Sequence, residues 1–109
     1  GFVLGLIADS KIDYIITSNR ESGFGRYDVV MEPNDRKKDA FVFEFKVKDP
    51  EAEDTLEDTL KSALSQIEDK NYDAVLTARG IPKERIRHYG FAFEGKRVLI
   101  GSSDVSHHR

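Results

Sequence analysis

Phe41-Val42-Phe43-Glu44-Phe45-Lys46-Val47 alternates bulky apolar side chains with a second, mixed set. Alternation of this kind is the signature of an extended strand, because successive side chains leave a strand on opposite faces. Phe41, Phe43, Phe45 and Val47 then share one face, which is expected to be the core. Val42, Glu44 and Lys46 share the other. A carboxylate and an amine are thereby fixed side by side on a rigid element, about 7 Å apart along the chain. Taken alone, a Glu-x-Lys pair on a strand is most often a solvated ion pair. Its meaning depends on what stands beside it.

The segments around it suggest a sheet. Lys11 to Thr17 has a strand-like composition, Ser18 to Gly25 reads as a polar connection, and Arg26 to Met31 as a second strand. Pro33, Asn34 and Asp35 begin a turn before the strand Ala40 to Lys48. Asp49-Pro50 offers an N-cap and a proline for the first helical position, with Glu51, Glu53 and Asp54 at the positive helix end. Leu56, Leu60, Ala63, Leu64 and Ile67 follow at helical spacing, so one helix is expected from Pro50 to about Lys70. Asn71 to Arg79 suits a short helix or a strand equally. Ile86 to Phe93 and Val98 to Ile100 read as strands joined at Glu94-Gly95. At the front, Phe2, Leu6 and Asp9 are spaced as on a short helix. The order is short helix, three strands, long helix, two strands: an antiparallel meander, then a helical crossover back to the same sheet.

At 109 residues the chain fits one domain, 1–109, which reads as a fragment or C-terminal domain of a longer protein. It contains no cysteine, so disulfides and thiolate metal sites are excluded. No apolar run reaches membrane-spanning length and no signal peptide is visible, which makes a cytoplasmic location the expectation and a membrane partner unexpected. The formal net charge of −3 argues against a protein that binds nucleic acid by phosphate neutralisation alone. It does not exclude chemistry on phosphodiesters, since carboxylates that hold a metal lower the charge and the metal inverts it locally.

The parity of the second strand puts Tyr27, Val29 and Met31 on one side and Asp28 and Val30 on the other. If the two strands pair through the turn after Met31, Asp28 comes near Glu44. Two carboxylates so placed can hold a magnesium ion, which prefers oxygen ligands and keeps several waters. A metal there could polarise a phosphoryl oxygen, and Lys46 could stabilise developing charge. The plainer alternative for Asp28 is a polar residue at the end of a solvated hairpin.

Asp28, then Glu44-Phe45-Lys46, then a helix carrying Gln66 resembles the PD-(D/E)XK nuclease superfamily. The run Ser18-Asn19-Arg20-Glu21-Ser22-Gly23-Phe24-Gly25-Arg26-Tyr27-Asp28 is similar to the nuclease-like domain at the C-terminus of AAA-ATPase-like proteins. So are Ala63 to Tyr72, with Gln66-Ile67 and Lys70-Asn71-Tyr72, and Tyr89-Gly90-Phe91-Ala92-Phe93-Glu94-Gly95-Lys96. The resemblance implies a restriction-endonuclease-like α/β core, a mixed sheet with helices packed on it in the order helix-strand-strand-strand-helix-strand. It implies that Asp28 and Glu44 bind the metal, Mg2+ with Mn2+ able to substitute, that Lys46 assists the attacking water, and that Gln66 supports the site. Tyr27 stands where the superfamily name has proline. Glu21 is an alternative acidic residue, although a loop carboxylate is more often solvated.

The leading expectation is a magnesium-dependent phosphodiesterase acting on DNA, with an ATPase domain in the same longer chain and a homodimer both left open. RNA is a further substrate option, which no recognisable RNA-binding motif supports. The competing reading is a catalytically silent module of this fold that binds nucleic acid or protein for an attached ATPase. His88 is expected to be structural and His107 and His108 solvated; Arg20, Arg26, Arg36, Lys37 and Lys38 could flank a phosphate track, but charge runs at turns are usually only solubilising. Tyr72 is expected to pack against the helix.

Overall fold

The computed structural model describes residues 13–20 and 25–103. The leading helix read at Phe2, Leu6 and Asp9, the loop residue Glu21, and the tail residues His107 and His108 lie outside the described residues. Five strands form one sheet: β1 (Tyr14–Arg20), β2 (Arg26–Pro33), β3 (Ala40–Val47), β4 (Ile86–Glu94) and β5 (Arg97–Ser102), in the order β1-β2-β3-β4-β5. β1, β2 and β3 pair antiparallel, β3 and β4 pair parallel, and β5 returns antiparallel to β4. Helix α1 (Leu56–Lys70) makes the crossover that a parallel β3–β4 pair requires. Helix α2 (Tyr72–Ala78) resolves the ambiguity of Asn71 to Arg79 in favour of a helix, and a single 3-10 turn, Lys83–Arg85, leads into β4. Among the described residues this is a five-stranded mixed sheet with two helices on it, the restriction-endonuclease-like α/β arrangement.

The helix begins later than Asp49-Pro50 suggests. Thr55 is the N-cap, and its hydroxyl accepts from the Asp58 N–H while the Asp58 carboxylate accepts from the Thr55 N–H. This reciprocal pair satisfies two of the donors a helix start leaves free. Asp49 instead closes a separate turn, its carbonyl accepting from Ala52 and Glu53 and its carboxylate from Glu51. At the far end Asn71 adopts a left-handed conformation, φ 53°, which stops α1 and starts α2.

The expected core face also needs correction. The aromatic face is packed, with Tyr27 stacked on Phe45 at 4.6 Å and Phe45 on Phe91 at 4.7 Å between ring centroids. Yet Phe41 and Phe43 are only half-buried, and Val47 is 39% exposed. Val42, Glu44 and Lys46, on the opposite face, are all buried. That face carries α1, and there Ala40, Val42, Ile67, Leu76, Ile81 and Ile86 form a second core.

Small residues explain the close approach of the helix. Asp28, Glu44, Gly90 and Gly101 lie in one register row across β2, β3, β4 and β5. A Cβ on Gly101 would stand 2.6 Å from a Leu60 methyl, and one on Gly90 would stand 3.0 Å from Leu60 and 3.2 Å from Leu64. Leu60 therefore sits over β5 and β4, while Lys70 reaches Glu44 on β3 and Asp28 on β2. Ten helical residues advance about 15 Å, and three strand spacings span about 14 Å. α1 thus follows the row across the strands, from its glycine end to its carboxylate end.

Candidate active site

The carboxylate end of that row holds the residues expected to carry chemistry. Asp28 and Glu44 are direct register partners on β2 and β3, and both are 0% exposed. Lys46 lies two residues further along the same face, opposite Arg26. The parity argument for Asp28, Glu44 and Lys46 is thus met: all three share the face under α1. The Lys46 ammonium, however, is engaged by Glu53. It donates to Glu53 Oε2 at 2.7 Å, and both side chains are nearly buried. Glu53 is held in turn by the Thr59 hydroxyl at 2.9 Å and the Asp49 N–H at 2.8 Å. Burial alone would raise the Glu53 carboxyl, but its donors, Asp49, Lys46 and Thr59, outweigh this and hold it below its usual value.

The two buried carboxylates are not equally satisfied. Asp28 Oδ1 accepts from the Asn19 amide at 3.2 Å. Asp28 Oδ2 accepts from the Tyr72 phenol at 2.9 Å and from the Lys70 ammonium. Glu44 Oε1 has only a long contact with Lys70 at 3.4 Å, and Glu44 Oε2 is buried with no hydrogen-bond partner. Burial first, and then the charge of Asp28, push the Glu44 carboxyl up to about 7, against the opposing pull of Arg26. Burial also lowers the Lys70 ammonium. Burial and the bond to Asp28 push the Tyr72 phenol up to about 12, so it remains a donor at neutral pH.

Lys70 and Tyr72 are the residues that sequence reading missed, together with the inward turn of Glu53. Tyr72 does more than pack against the helix: its hydroxyl touches the site. One available signal was spacing, because Lys70 follows Gln66 by four residues and therefore lies on the same flank of α1. Gln66 itself is half-buried on that flank. His88 has the expected structural environment, with Nε2 2.7 Å from Asp73 Oδ1 and Nδ1 3.2 Å from Ser103 Oγ. Arg36 is likewise structural, since it and Arg79 pair with the buried Glu32.

The Glu44 shift has a pH consequence in the metal-free protein. A carboxyl whose folded value lies above its unfolded value binds an extra proton on folding. Its stabilising contribution is full below about pH 4.5 and is lost as pH rises to about 7. Urea unfolding in the presence of a chelator should therefore show wild type losing stability relative to Glu44→Gln between pH 5 and 7.5. An equal difference at both pH values would contradict the buried, unpaired state of Glu44.

The arrangement offers two adjacent carboxylates with one oxygen unmet, and two basic side chains within reach of them. Among the described residues no group of three or more His, Cys, Asp or Glu side chains is placed to hold a metal. Asp28 and Glu44 could nevertheless supply two of the oxygen ligands of an ion that retains water. Among the described residues, no helix is long and apolar enough to cross a membrane. No curated protein and no solved structure matches the chain at a significant level. A family model described as the PD-(D/E)XK nuclease superfamily matches residues 1–103.

Proposed function

The chain belongs to the PD-(D/E)XK nuclease superfamily, and from that premise we propose that it is a divalent-metal-dependent nuclease hydrolysing phosphodiester bonds of DNA, with Asp28 and Glu44 as metal ligands and Lys46 and Gln66 supporting the reaction. The observation that carries this reading is the unmet Glu44 Oε2 beside Asp28. A buried carboxylate oxygen without a donor is costly, and a cation shared with its neighbour removes that cost. Oxygen donors without sulfur or imidazole suit Mg2+, with Mn2+ able to replace it. When bound, such an ion would neutralise charge on a phosphoryl oxygen and lower the pKa of a water it holds. Asp28 is held in position by Asn19 and Tyr72. Lys46, on the same face as Glu44 and bonded to Glu53, would turn its cation to the reacting phosphoryl group to offset charge as phosphorus becomes five-coordinate. Gln66, half-buried on α1 one turn before Lys70, would orient polar atoms of substrate or water.

Lys70 is the competitor of the metal. Its ammonium reaches both proposed ligands, so cation binding requires it to withdraw. Charged hydrogen bonds contribute about 1.5–3 kcal/mol, which corresponds to roughly ten- to a hundredfold in affinity. Lys70→Met is therefore expected to bind Mn2+ more tightly than wild type by a factor in that range, measured by calorimetry. Equal or weaker binding would remove Lys70 from the metal position.

The same contact favours a second reading, a catalytically silent module of this fold serving an attached ATPase domain, in which Lys70 replaces the ion permanently. Nicking of supercoiled plasmid, with Mg2+ or Mn2+ against a chelator, separates the two. The nuclease reading expects ion-dependent nicking. Absence of both nicking and a saturable Mn2+ site would favour the silent module.

A further inference from the structure

Among the described residues, three buried side-chain nitrogen and oxygen atoms lack a hydrogen-bond partner: Arg26 Nε, Arg26 Nη2 and Glu44 Oε2. All three belong to one place. Arg26 Nε lies 3.8 Å from Glu44 Oε2, too far for a hydrogen bond. Other buried carboxylates are matched, Glu32 by two arginines and Asp28 by three donors. Two unmet N–H groups on one guanidinium are a different matter from an exposed arginine, because buried donors are normally paired.

Their chemistry specifies a ligand. The Nε–H and Nη2–H of an arginine form a planar fork that fits two oxygens of a carboxylate or a phosphoryl group. Glu44, the carboxylate within reach, does not occupy that fork. Arg26 faces Lys46 across β2 and β3, on the face that carries Asp28 and Glu44. Asp28, Glu44 and Glu53 are balanced by Arg26, Lys46 and Lys70, so the cluster is neutral when all six are ionised. When a divalent cation displaces Lys70, Arg26, Lys46 and the ion outweigh the three carboxylates by one charge, which an oxyanion from substrate would meet.

We propose that Arg26 is the phosphate-binding residue of this site, its Nε–H and Nη2–H donating to two non-bridging oxygens of a substrate phosphoryl group. This rests on the phosphodiesterase reading and adds a residue to it. The test is calorimetric titration of inorganic phosphate into Mn2+-saturated wild type, Arg26→Gln and Arg26→Lys, with Mn2+ affinity measured separately. Wild type should bind phosphate. Arg26→Gln should bind it about tenfold more weakly or worse, and Arg26→Lys should be intermediate, since it keeps the charge and loses the fork. Mn2+ affinity should not fall in either variant. If Arg26→Gln does not fold, Arg26→Lys decides. Equal phosphate affinity in the folded variants and wild type, or no phosphate binding by wild type, overturns the proposal. Plasmid nicking separates its failure from that of the parent reading. Wild type that nicks DNA as well as Arg26→Gln does sinks the role of Arg26 alone. Wild type that never nicks but binds phosphate through Arg26 sinks the nuclease and leaves the anion site.

Discussion

Asp28→Ala is expected to lose Mn2+ binding and DNA cleavage together. Asp28 is buried, stands directly opposite Glu44, and holds three donors from β1, α1 and α2. Its removal deletes one of two charged ligands. It also frees Lys70 to pair fully with Glu44, which closes the remaining one. Loss of a close charge–charge contact of this kind weakens affinity by about a hundredfold or more. Asn19 and Tyr72 lose their acceptor in the alanine variant, so stability also falls. Asp28→Asn controls for this because its amide oxygen can still accept while the charge is gone. Calorimetry with Mn2+ and plasmid nicking should show both variants impaired in both assays. Full Mn2+ affinity in Asp28→Asn would remove Asp28 from the ligand set.

Lys46→Ala should separate what Asp28→Ala loses jointly. An ammonium cannot ligate a metal, so Mn2+ affinity should stay within about threefold of wild type. Cleavage should fall by roughly a hundred- to a thousandfold, the range for loss of one donor aimed at transition-state charge. The structure adds a complication: Lys46 also neutralises the nearly buried Glu53. Lys46→Met retains the aliphatic stem and reveals how much of any loss comes from packing. A variant that cleaves at the wild-type rate would make Lys46 only the structural partner of Glu53.

Much of the site was legible because strand parity is a local property. Alternation in 41–47 put Glu44 and Lys46 on one face, and the same rule put Asp28 with Val30. The apolar stripe of α1 was equally local. The choice of core face was not. Phe41, Phe43 and Phe45 dominate the hydrophobicity of β3, but Gly90, Ala92 and Gly101 make room for α1 on the other face. Burial follows contact rather than side-chain size. Lys70 and Tyr72 were hidden for a related reason. They lie 42 and 44 residues from Asp28 and meet it only because α1 crosses the strands along one register row. The helix start was misplaced because Asp49-Pro50 resembles a cap, whereas Thr55 with Asp58 completes one.

The central claim is that Asp28 and Glu44 form a cation seat which Lys70 fills in its absence. Anomalous diffraction from a crystal soaked in Mn2+ tests it most directly. The expected result is one strong peak within about 2.3 Å of an oxygen from each carboxylate, with the Lys70 ammonium withdrawn from both. A manganese peak elsewhere, or none, with Lys70 still bonded to Asp28 and Glu44, would contradict the account.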